Sequence, residues 1–301
     1  MLLPPSASRL ARRISAVLLA LIALLAVAVS ARADVITSDN WSGYAVHGRG
    51  STFKHITATW RQPAAICSTG TESYSAFWVG IGGYSLSSKA MEQIGSELDC
   101  NADGTESLSA WYELVPAPSR TVPMTIAGGD VLTAGIGISG RQVTMTLDDK
   151  TRDEVFTKTI TDHTMDLTSA EWIAEAPSDC TSATKCETLP LADFGAVNFA
   201  NASAETTSGR TASISSSIWT TTRILLGYTA KGTSFVAKSS TAQATPSALG
   251  DSGGEFRVDF AAASTTTTTG SGSTGGPGGG GGGPGGGGHP PPFTRRDLTR
   301  A

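Results

Sequence analysis

The feature that most constrains the fold is an alternation of apolar and polar residues with a period of two, repeated between residues 34 and 260. It is clearest in ITATW (56–60), QVTMTLDD (142–149) and EFRVDF (255–260), each of which predicts a half-buried strand. Gly, Pro, Asn and Asp interrupt the alternation at short intervals, and no stretch of ten or more residues has the 3.6-residue period of a helix. The chain is therefore predicted to be all-β.

Further segments rich in aromatic and β-branched residues are also strand candidates. They are FWVGIGG (77–83), LSAWYELV (108–115), VLTAGIGI (131–138), DEVFTKTI (153–160), SAEWIAEA (169–176) and IWTTTRILLGY (218–228). Roughly ten short strands without helices bury their apolar faces by closing or doubling a sheet. The favoured architecture is an antiparallel β-sandwich of two large sheets, of the jelly-roll or concanavalin-like kind.

Both ends of the chain differ from this strand-rich middle. Basic residues near the N-terminus precede an apolar run (16–29) and the small-residue sequence Ala31-Arg32-Ala33, the layout of a secretory signal peptide cleaved after Ala33. A retained membrane anchor is the alternative, but a bilayer span needs about 20 apolar residues. Residues 264–301 are rich in Gly, Pro and Thr and predict a flexible tail. Residues 34–263 remain as one domain of a secreted protein that has no membrane contact after cleavage.

The charge of the mature chain argues against nucleic acid as a partner. Removing residues 1–33 removes four arginines and no acidic residue, which leaves 18 basic against 26 acidic residues and a net charge of about −8. A chain of this charge is repelled by a phosphate backbone. The expected protein is a monomer that does not bind nucleic acid.

Four cysteines, Cys67, Cys100, Cys180 and Cys186, remain in the mature chain. An even number in an oxidising compartment indicates two disulfides, for which three pairings exist. Cys180 and Cys186 are near enough in sequence to close a hairpin loop, which leaves Cys67 for Cys100. A zinc site is the competing interpretation, but the chain has neither CxxC spacing nor clustered histidines, so no metal is expected.

The sequence GDSGG at residues 250–254 is the motif that surrounds the nucleophile of trypsin-like serine peptidases. A serine nucleophile needs a histidine base and a carboxylate that orients this base. His47, His55 and His163 of the predicted domain do not lie in the setting of such a base. Because Gly, Asp and Ser are also turn residues, Ser252 is interpreted as part of a turn before the last strand. A serine peptidase remains the alternative function.

Four segments, taken in order and spacing, resemble the glutamic peptidases, the eqolisin family. They are NWSGYAV (40–46), FWVGIGG (77–83) with MEQIG (91–95), SAWYELVP (109–116) and SAEWIAEAP (169–177). ITATWRQP (56–63) and LPLADFGAVNF (189–199) fit the same pattern, so the resemblance covers residues 40–260. It implies a secreted β-sandwich that cleaves polypeptides at acidic pH and needs no metal or cofactor.

The resemblance also implies which residues form the site. The catalytic glutamine of the family falls on Gln93 in MEQIG, and its catalytic glutamate falls on Glu171 in SAEWI. Trp41, Trp78 and Glu113 match positions that line or support the substrate groove. The expected function is that of a glutamic endopeptidase with a Glu/Gln dyad.

These residue types suit the hydrolysis of an amide. The reaction needs a base that activates water, a donor for the developing oxyanion and an acid for the leaving nitrogen. One carboxyl with a pKa of about 4.3 can be base and then acid in the acidic range. A glutamine amide stays neutral there and supplies N–H donors and a carbonyl acceptor.

Other interpretations of the same residues stay open from the sequence. Alternation places Glu171, Ile173 and Glu175 on one face of a strand, so on pattern alone Glu175 is an equal candidate for the catalytic carboxylate. The WVGI strand of the family continues with an aspartate, whereas Gly82 follows Ile81 in this chain. A β-sandwich with exposed tryptophans also fits a non-catalytic module that binds carbohydrate or protein.

Overall fold

The computed structural model describes residues 33–182, 185–231, 234–239 and 241–263, and in these residues it contains β-strands and no α-helix. Consequently, the part of the chain that the structure describes offers no helix capable of crossing a membrane. The predicted signal peptide, apart from Ala33, and the predicted tail lie outside the described residues. The division of the chain into these segments therefore stays a prediction.

The strands are β1 (Asp34–Ser38), β2 (Trp41–His47), β3 (Phe53–Arg61), β4 (Ser73–Gly82), β5 (Met91–Cys100), β6 (Glu106–Val115), β7 (Arg120–Val122), β8 (Val131–Ser139), β9 (Gln142–Asp149), β10 (Glu154–Thr161), β11 (Ser169–Glu175), β12 (Ser178–Ser182), β13 (Lys185–Thr188), β14 (Ala196–Thr206), β15 (Thr211–Ser213), β16 (Thr220–Leu226), β17 (Tyr228–Lys231), β18 (Ser234–Ala237), β19 (Gln243–Pro246) and β20 (Phe256–Ala261).

Most strands belong to one hydrogen-bonded path that folds into two layers. The first layer has the order β7-β6-β5-β4-β11-β2-β16, and the second has the order β19-β20-β14-β3-β8-β9-β10. The path passes from one layer to the other where Leu226 of β16 pairs with Ala244 of β19. This confirms the predicted antiparallel β-sandwich, with one exception: β1 runs parallel to β16.

The core between the two layers is formed by alternate residues of the facing strands. Strands β3, β4, β5, β8 and β9 contact one another across this core. The contributing side chains include Val46, Phe77, Val79, Ile81, Ile94 and Trp172 from the first layer and Ile56, Trp60, Leu132, Ile136 and Met145 from the second. The opposite residues of the first-layer strands are therefore directed away from this core.

The predicted strand segments are all found on strands, but one prediction needs correction, and β14 was missed. The segment 218–228 is not one strand, because Gly227 adopts φ +78 and ends β16 before β17 begins. A Cβ at Gly227 would lie 2.5 Å from the carbonyl oxygen of Ala242, so only glycine fits this turn. Strand β14 was not predicted because a bulge between Ala200 and Ser203 breaks its alternation.

Both predicted disulfides are confirmed. Cys180 and Cys186 lie directly opposite each other in the β12–β13 hairpin and are bonded. Cys67 is bonded to Cys100 with a Cα–Cα distance of 5.2 Å. The second bond joins the end of β5 to the segment between β3 and β4.

Candidate active site

Glu171, Gln93 and Glu113 stand in one row across neighbouring strands of the first layer. Glu171 of β11 lies opposite Gly80 of β4, Gly80 lies opposite Gln93 of β5, and Gln93 lies opposite Glu113 of β6. Residues directly opposite each other in antiparallel strands point to the same face of the sheet. The structure therefore brings the two predicted dyad residues and Glu113 together.

This face, called here the site face, is the one turned away from the core between the layers. Besides the row above, it carries a separate apolar cluster of Trp41, Ala45, Ala76, Trp78, Met91, Trp111, Ile173 and Ile224. Gln93 and Glu171 are 0 % exposed. On pattern alone both would be solvated strand residues, but β5 and β11 are buried on both faces, so alternation does not mark a water-facing side here.

Gly80 leaves a gap in the row of side chains between Glu171 and Gln93, because it has no side chain of its own. Two strand spacings separate the Cα atoms of these residues, about 10 Å, and the residue between them has no side chain. The ring of Trp78 lies at this gap, because a Cβ on Gly80 would come within 2.8 Å of Cζ3 of Trp78. The carboxyl, the amide and the indole ring are thus grouped around Gly80.

The carboxyl of Glu171 has no hydrogen-bond partner for either oxygen, although it is fully buried. Burial raises its pKa well above the ordinary value, and the negative charges of Asp166 and Glu92 add to this rise. The Ser169 hydroxyl lies near enough to offset part of this rise in pKa, but its position does not meet the geometry of a hydrogen bond. Glu171 is therefore a carboxyl with two free acceptor oxygens, and its ionisation needs a higher pH than that of an exposed glutamate.

The amide of Gln93 is fixed by Glu113. Its Nε2 donates a hydrogen bond to Oε2 of Glu113 at 2.6 Å, whereas its Oε1 has no partner. A carboxylate accepts and an amide oxygen cannot donate, so this contact determines which end of the amide faces β6. Oε1 and the second N–H of Nε2 remain for a water molecule or a substrate.

The predicted groove residues Trp41 and Trp78 pack against each other edge to face, with ring centroids 4.9 Å apart. The Nε1 of Trp78 donates to Oε2 of Glu175 at 2.8 Å, and Nδ2 of Asn40 donates to Oε1 of the same carboxylate at 2.9 Å. Nε1 of Trp41 has no hydrogen-bond partner. Glu175 differs from Glu171 in that both of its oxygens accept hydrogen bonds.

The position of the missing family aspartate has no room for a side chain. Gly82 has φ +86, and a Cβ there would lie 2.4 Å from the carbonyl oxygen of Asp166. The carboxylate of Asp166 accepts hydrogen bonds from Ser88 and from the backbone N–H of Thr168. Sequence reasoning missed Asp166, because no local pattern shows that the segment before β11 packs on the end of β4.

A second aromatic pair lies at the end of the site face. The rings of His47 and Tyr84 are stacked with centroids 4.3 Å apart, and both side chains hydrogen bond to Thr222 Oγ1. Thr222 is opposite Ala45, which is opposite Glu171. Tyr84, which the sequence did not single out, therefore lies on the side of Glu171 away from Gln93.

Ser252 lies in a turn before β20, as predicted. Its Oγ accepts the backbone N–H of Gly254 at 3.2 Å, and Gly253 in the same turn has φ +69. Within the described segments no histidine makes a hydrogen bond to Ser252, and His47 is bonded to Thr222 instead. The serine interpretation therefore lacks its base in the structure. No cluster of three or more metal-ligating side chains occurs in these segments.

The comparisons with known proteins concern the family and the fold of the chain. No curated protein sequence matches the chain. The structure of scytalido-glutamic peptidase with a transition state analog inhibitor matches with 26 % identity and a TM-score of 0.57, covering 74 % of this chain and 98 % of that one. A second structure of that enzyme, with a peptide-based transition state analog, matches with 25 % identity, a TM-score of 0.56 and the same coverage.

A further match concerns the fold. SCP-B, a member of the eqolisin family solved with the tripeptide Ala-Ile-His, has 24 % identity and a TM-score of 0.54, and the match covers 74 % of this chain and 98 % of that one. The model of the Peptidase A4 family matches residues 39–245. Because this match spans more than half of the chain, the protein belongs to the Peptidase A4 family, the eqolisins, and is a glutamic endopeptidase.

Proposed function

We propose that the protein is a secreted acid endopeptidase in which Glu171 and Gln93 form the catalytic dyad. The observation that carries this proposal is the row Glu171–Gly80–Gln93, in which two buried side chains with unpartnered oxygens face each other across a residue without a side chain. Polar atoms buried without partners are costly, so such a pair is typical of a site that binds and turns over a polar ligand.

The reaction follows from the two groups. A water molecule in the gap donates a proton to the carboxylate of Glu171 as its oxygen attacks the peptide carbonyl carbon. The electron pair of the C=O bond moves to the carbonyl oxygen, where an N–H of Gln93 stabilises the negative charge. Glu171 then donates this proton to the peptide nitrogen, the C–N bond breaks, and a carboxylic acid and an amine leave.

Glu113, Trp41 and Trp78 are assigned supporting roles in this proposal. Glu113 holds the amide of Gln93 in one orientation, and the two tryptophans form the wall of the groove along which a polypeptide lies. Because the pKa of Glu171 is raised, its carboxylate form is present only at higher pH than that of an exposed glutamate. We expect the acid limb of the pH profile to lie above about pH 4.3, the ordinary value.

The test is digestion of casein or haemoglobin from about pH 2 to about pH 9 by purified variants. Glu171→Gln is expected to abolish turnover, and Gln93→Ala is expected to lower it by about 10²–10³, the usual effect of one oxyanion donor. Ser252→Ala is the matched control and should retain full activity, since Ser252 is a turn residue. Full acid activity of Glu171→Gln would contradict the dyad, and loss of activity in Ser252→Ala alone would restore the serine alternative.

Secretion is supported by the N-terminal sequence and by the two disulfides, which persist in oxidising compartments. The expected mature N-terminus is Asp34. Mass spectrometry of the protein recovered from the culture medium of an expressing host tests this directly. Protein that is retained in the cytoplasm, or that still carries residues 1–33, would contradict the proposal.

A further inference from the structure

Glu175 is fully buried on the site face and connects two parts of the site. Its Oε1 accepts from Asn40 at 2.9 Å and its Oε2 accepts from Trp78 at 2.8 Å. Asn40 is itself held, because Oγ of Ser38 donates to its Oδ1 at 3.0 Å. The turn between β1 and β2 is thus joined through one carboxylate to the indole ring on β4.

Trp78 is the side chain through which Glu175 reaches the gap. Its ring lies beside Gly80, between the strands that carry Glu171 and Gln93. A tryptophan side chain has only two torsions, so the hydrogen bond at Nε1 and the edge contact with Trp41 are sufficient to define its ring position. A displacement of this ring changes the width of the gap.

We propose that Glu175 is a positioning residue, which holds the ring of Trp78 at the edge of the gap and so defines the space in which water and the scissile carbonyl meet. The proposal rests on the proposed dyad function. It also assigns different tasks to two carboxylates that the sequence pattern left equal. Glu171 has free oxygens and takes part in proton transfer, whereas Glu175 has both oxygens occupied and acts through Trp78.

The first variant is Glu175→Gln, which keeps the size of the side chain but offers one acceptor oxygen and one donor amide. Either Asn40 or Trp78 then faces a donor in place of an acceptor. Since a misplacement of about 1 Å near reacting atoms can cost about 10²-fold in rate, kcat should fall by about 10- to 100-fold. KM should change less, because the groove itself remains.

A rescue experiment separates positioning from proton transfer. In the Asn40→Asp/Glu175→Gln double variant, the new amide can donate to the carboxylate at position 40 while its oxygen accepts from Trp78. We expect the double variant to recover at least tenfold in kcat over Glu175→Gln alone. Asn40→Asp alone is the matched control and should lower activity, since it puts two carboxylates side by side.

Trp78→Phe is a second and independent variant, since it removes the N–H and keeps an aromatic ring. Trp78→Phe should lower kcat to a similar extent as Glu175→Gln does. In the double variant Trp78→Phe/Glu175→Gln, kcat should be little lower than in Trp78→Phe alone, because both changes remove the same interaction. Near-UV circular dichroism verifies that each variant is folded. If Glu175→Gln does not fold, Trp78→Phe decides, because wild-type kcat in that variant overturns the proposal.

Two other results also overturn it. One is wild-type kcat in folded Glu175→Gln. The other concerns the residual activity of Glu175→Gln. If kcat of this variant is as low as that of Glu171→Gln, and the additional change Asn40→Asp does not raise it, Glu175 itself is the proton-transfer group. Glu171→Gln is measured in the same series, and its full activity would refute the dyad rather than the positioning role.

Discussion

The Nε2 atom of Gln93 donates a hydrogen bond to Oε2 of Glu113 at 2.6 Å, between two side chains that are both buried. The carboxylate is an acceptor only, so it keeps the amide nitrogen on the β6 side and the amide oxygen on the other. The orientation of the proposed oxyanion donor is therefore determined by a residue of β6, three strands away from Glu171 on β11.

Glu113→Ala should lower kcat by about 10²-fold, because an unheld amide samples orientations that do not present N–H to the oxyanion. Glu113→Gln should lose less, since its amide oxygen can still accept from Gln93. The measurement is kcat and KM for a peptide substrate at the pH optimum. Equal kcat in all three proteins would show that Gln93 does not depend on Glu113.

Gly80→Ala should abolish most of the activity by filling the gap between Glu171 and Gln93. The added Cβ would stand 2.8 Å from Cζ3 of Trp78, and overpacking of this kind costs about 1–3 kcal/mol of stability. Gly137→Ala is the matched control, because that glycine also lies in a strand and its nearest contact would be an ordinary 3.8 Å. Activity and thermal unfolding of both variants test this, and a fully active Gly80→Ala would mean that the gap is not the reaction space.

Asp166→Asn should move the acid limb of the kcat/KM profile to lower pH. Partial burial alone would raise the pKa of Asp166, but hydrogen bonds from Ser88 and Thr168 outweigh this effect and lower the pKa. Asp166 therefore carries its negative charge at acidic pH. That charge raises the pKa of Glu171, as does Glu92, and its removal lets Glu171 ionise at lower pH. The acid limb of the kcat/KM profile reports the pKa of the essential base in the free enzyme.

Asp162→Asn is the control for this shift. Asp162 accepts hydrogen bonds from Thr164 in the same way as Asp166 does from Thr168, but it is not among the charges that act on Glu171. Its variant should leave the limb in place. A shift of equal size in both variants would mean that loop stability, and not the field at Glu171, determines the profile.

Glu92→Gln should stabilise the protein at neutral and alkaline pH. Glu92 is buried and its oxygens have no partner, and burial, with charge from Asp162 and Asp166, raises its pKa to about 8. In the unfolded chain this carboxyl releases its proton above about pH 4.3, whereas in the folded protein it keeps the proton up to about pH 8. The free energy of unfolding therefore falls as the pH rises between these two values, by at most about 1.4 kcal/mol per pH unit.

Thermal unfolding at several pH values between about 4 and 9 tests the Glu92 prediction. The unfolding temperature of wild type should fall more steeply with pH than that of Glu92→Gln, and the two should differ most at the alkaline end. Glu255→Gln changes an exposed carboxyl and should follow the wild-type curve. Parallel curves for wild type and Glu92→Gln would show that Glu92 is not the group responsible.

Alternation predicted strands well where one face of the sheet meets water. Strand β9 has the predicted bounds 142–149, because its apolar residues face the core and its polar residues face outward. The same rule fails for β5 and β11, whose residues are buried on both faces. Gln93 and Glu171 therefore resemble surface residues in the pattern, and only the likeness to a known family singled them out.

The arrangement of the site could not be predicted from the sequence because it depends on strand order. Strands β11 and β4 are neighbours in the sheet although β5 to β10 lie between them in the chain. The placement of Gly80 between Glu171 and Gln93 follows from that order. The different tasks assigned to Glu171 and Glu175 depend on Asn40 and Trp78, which reach Glu175 from two other strands or turns.

The burial of Asn40 has a practical consequence for producing the protein. Asn40-Trp-Ser is an acceptor sequence for N-glycosylation, yet Asn40 is 3 % exposed and its Nδ2 is bonded to Glu175. A sugar attached there during synthesis in a eukaryotic host would have to be accommodated inside the sheet before β2 and β11 could pair. A host without N-glycosylation, or Ser42→Ala in one that has it, is therefore the better source of active enzyme.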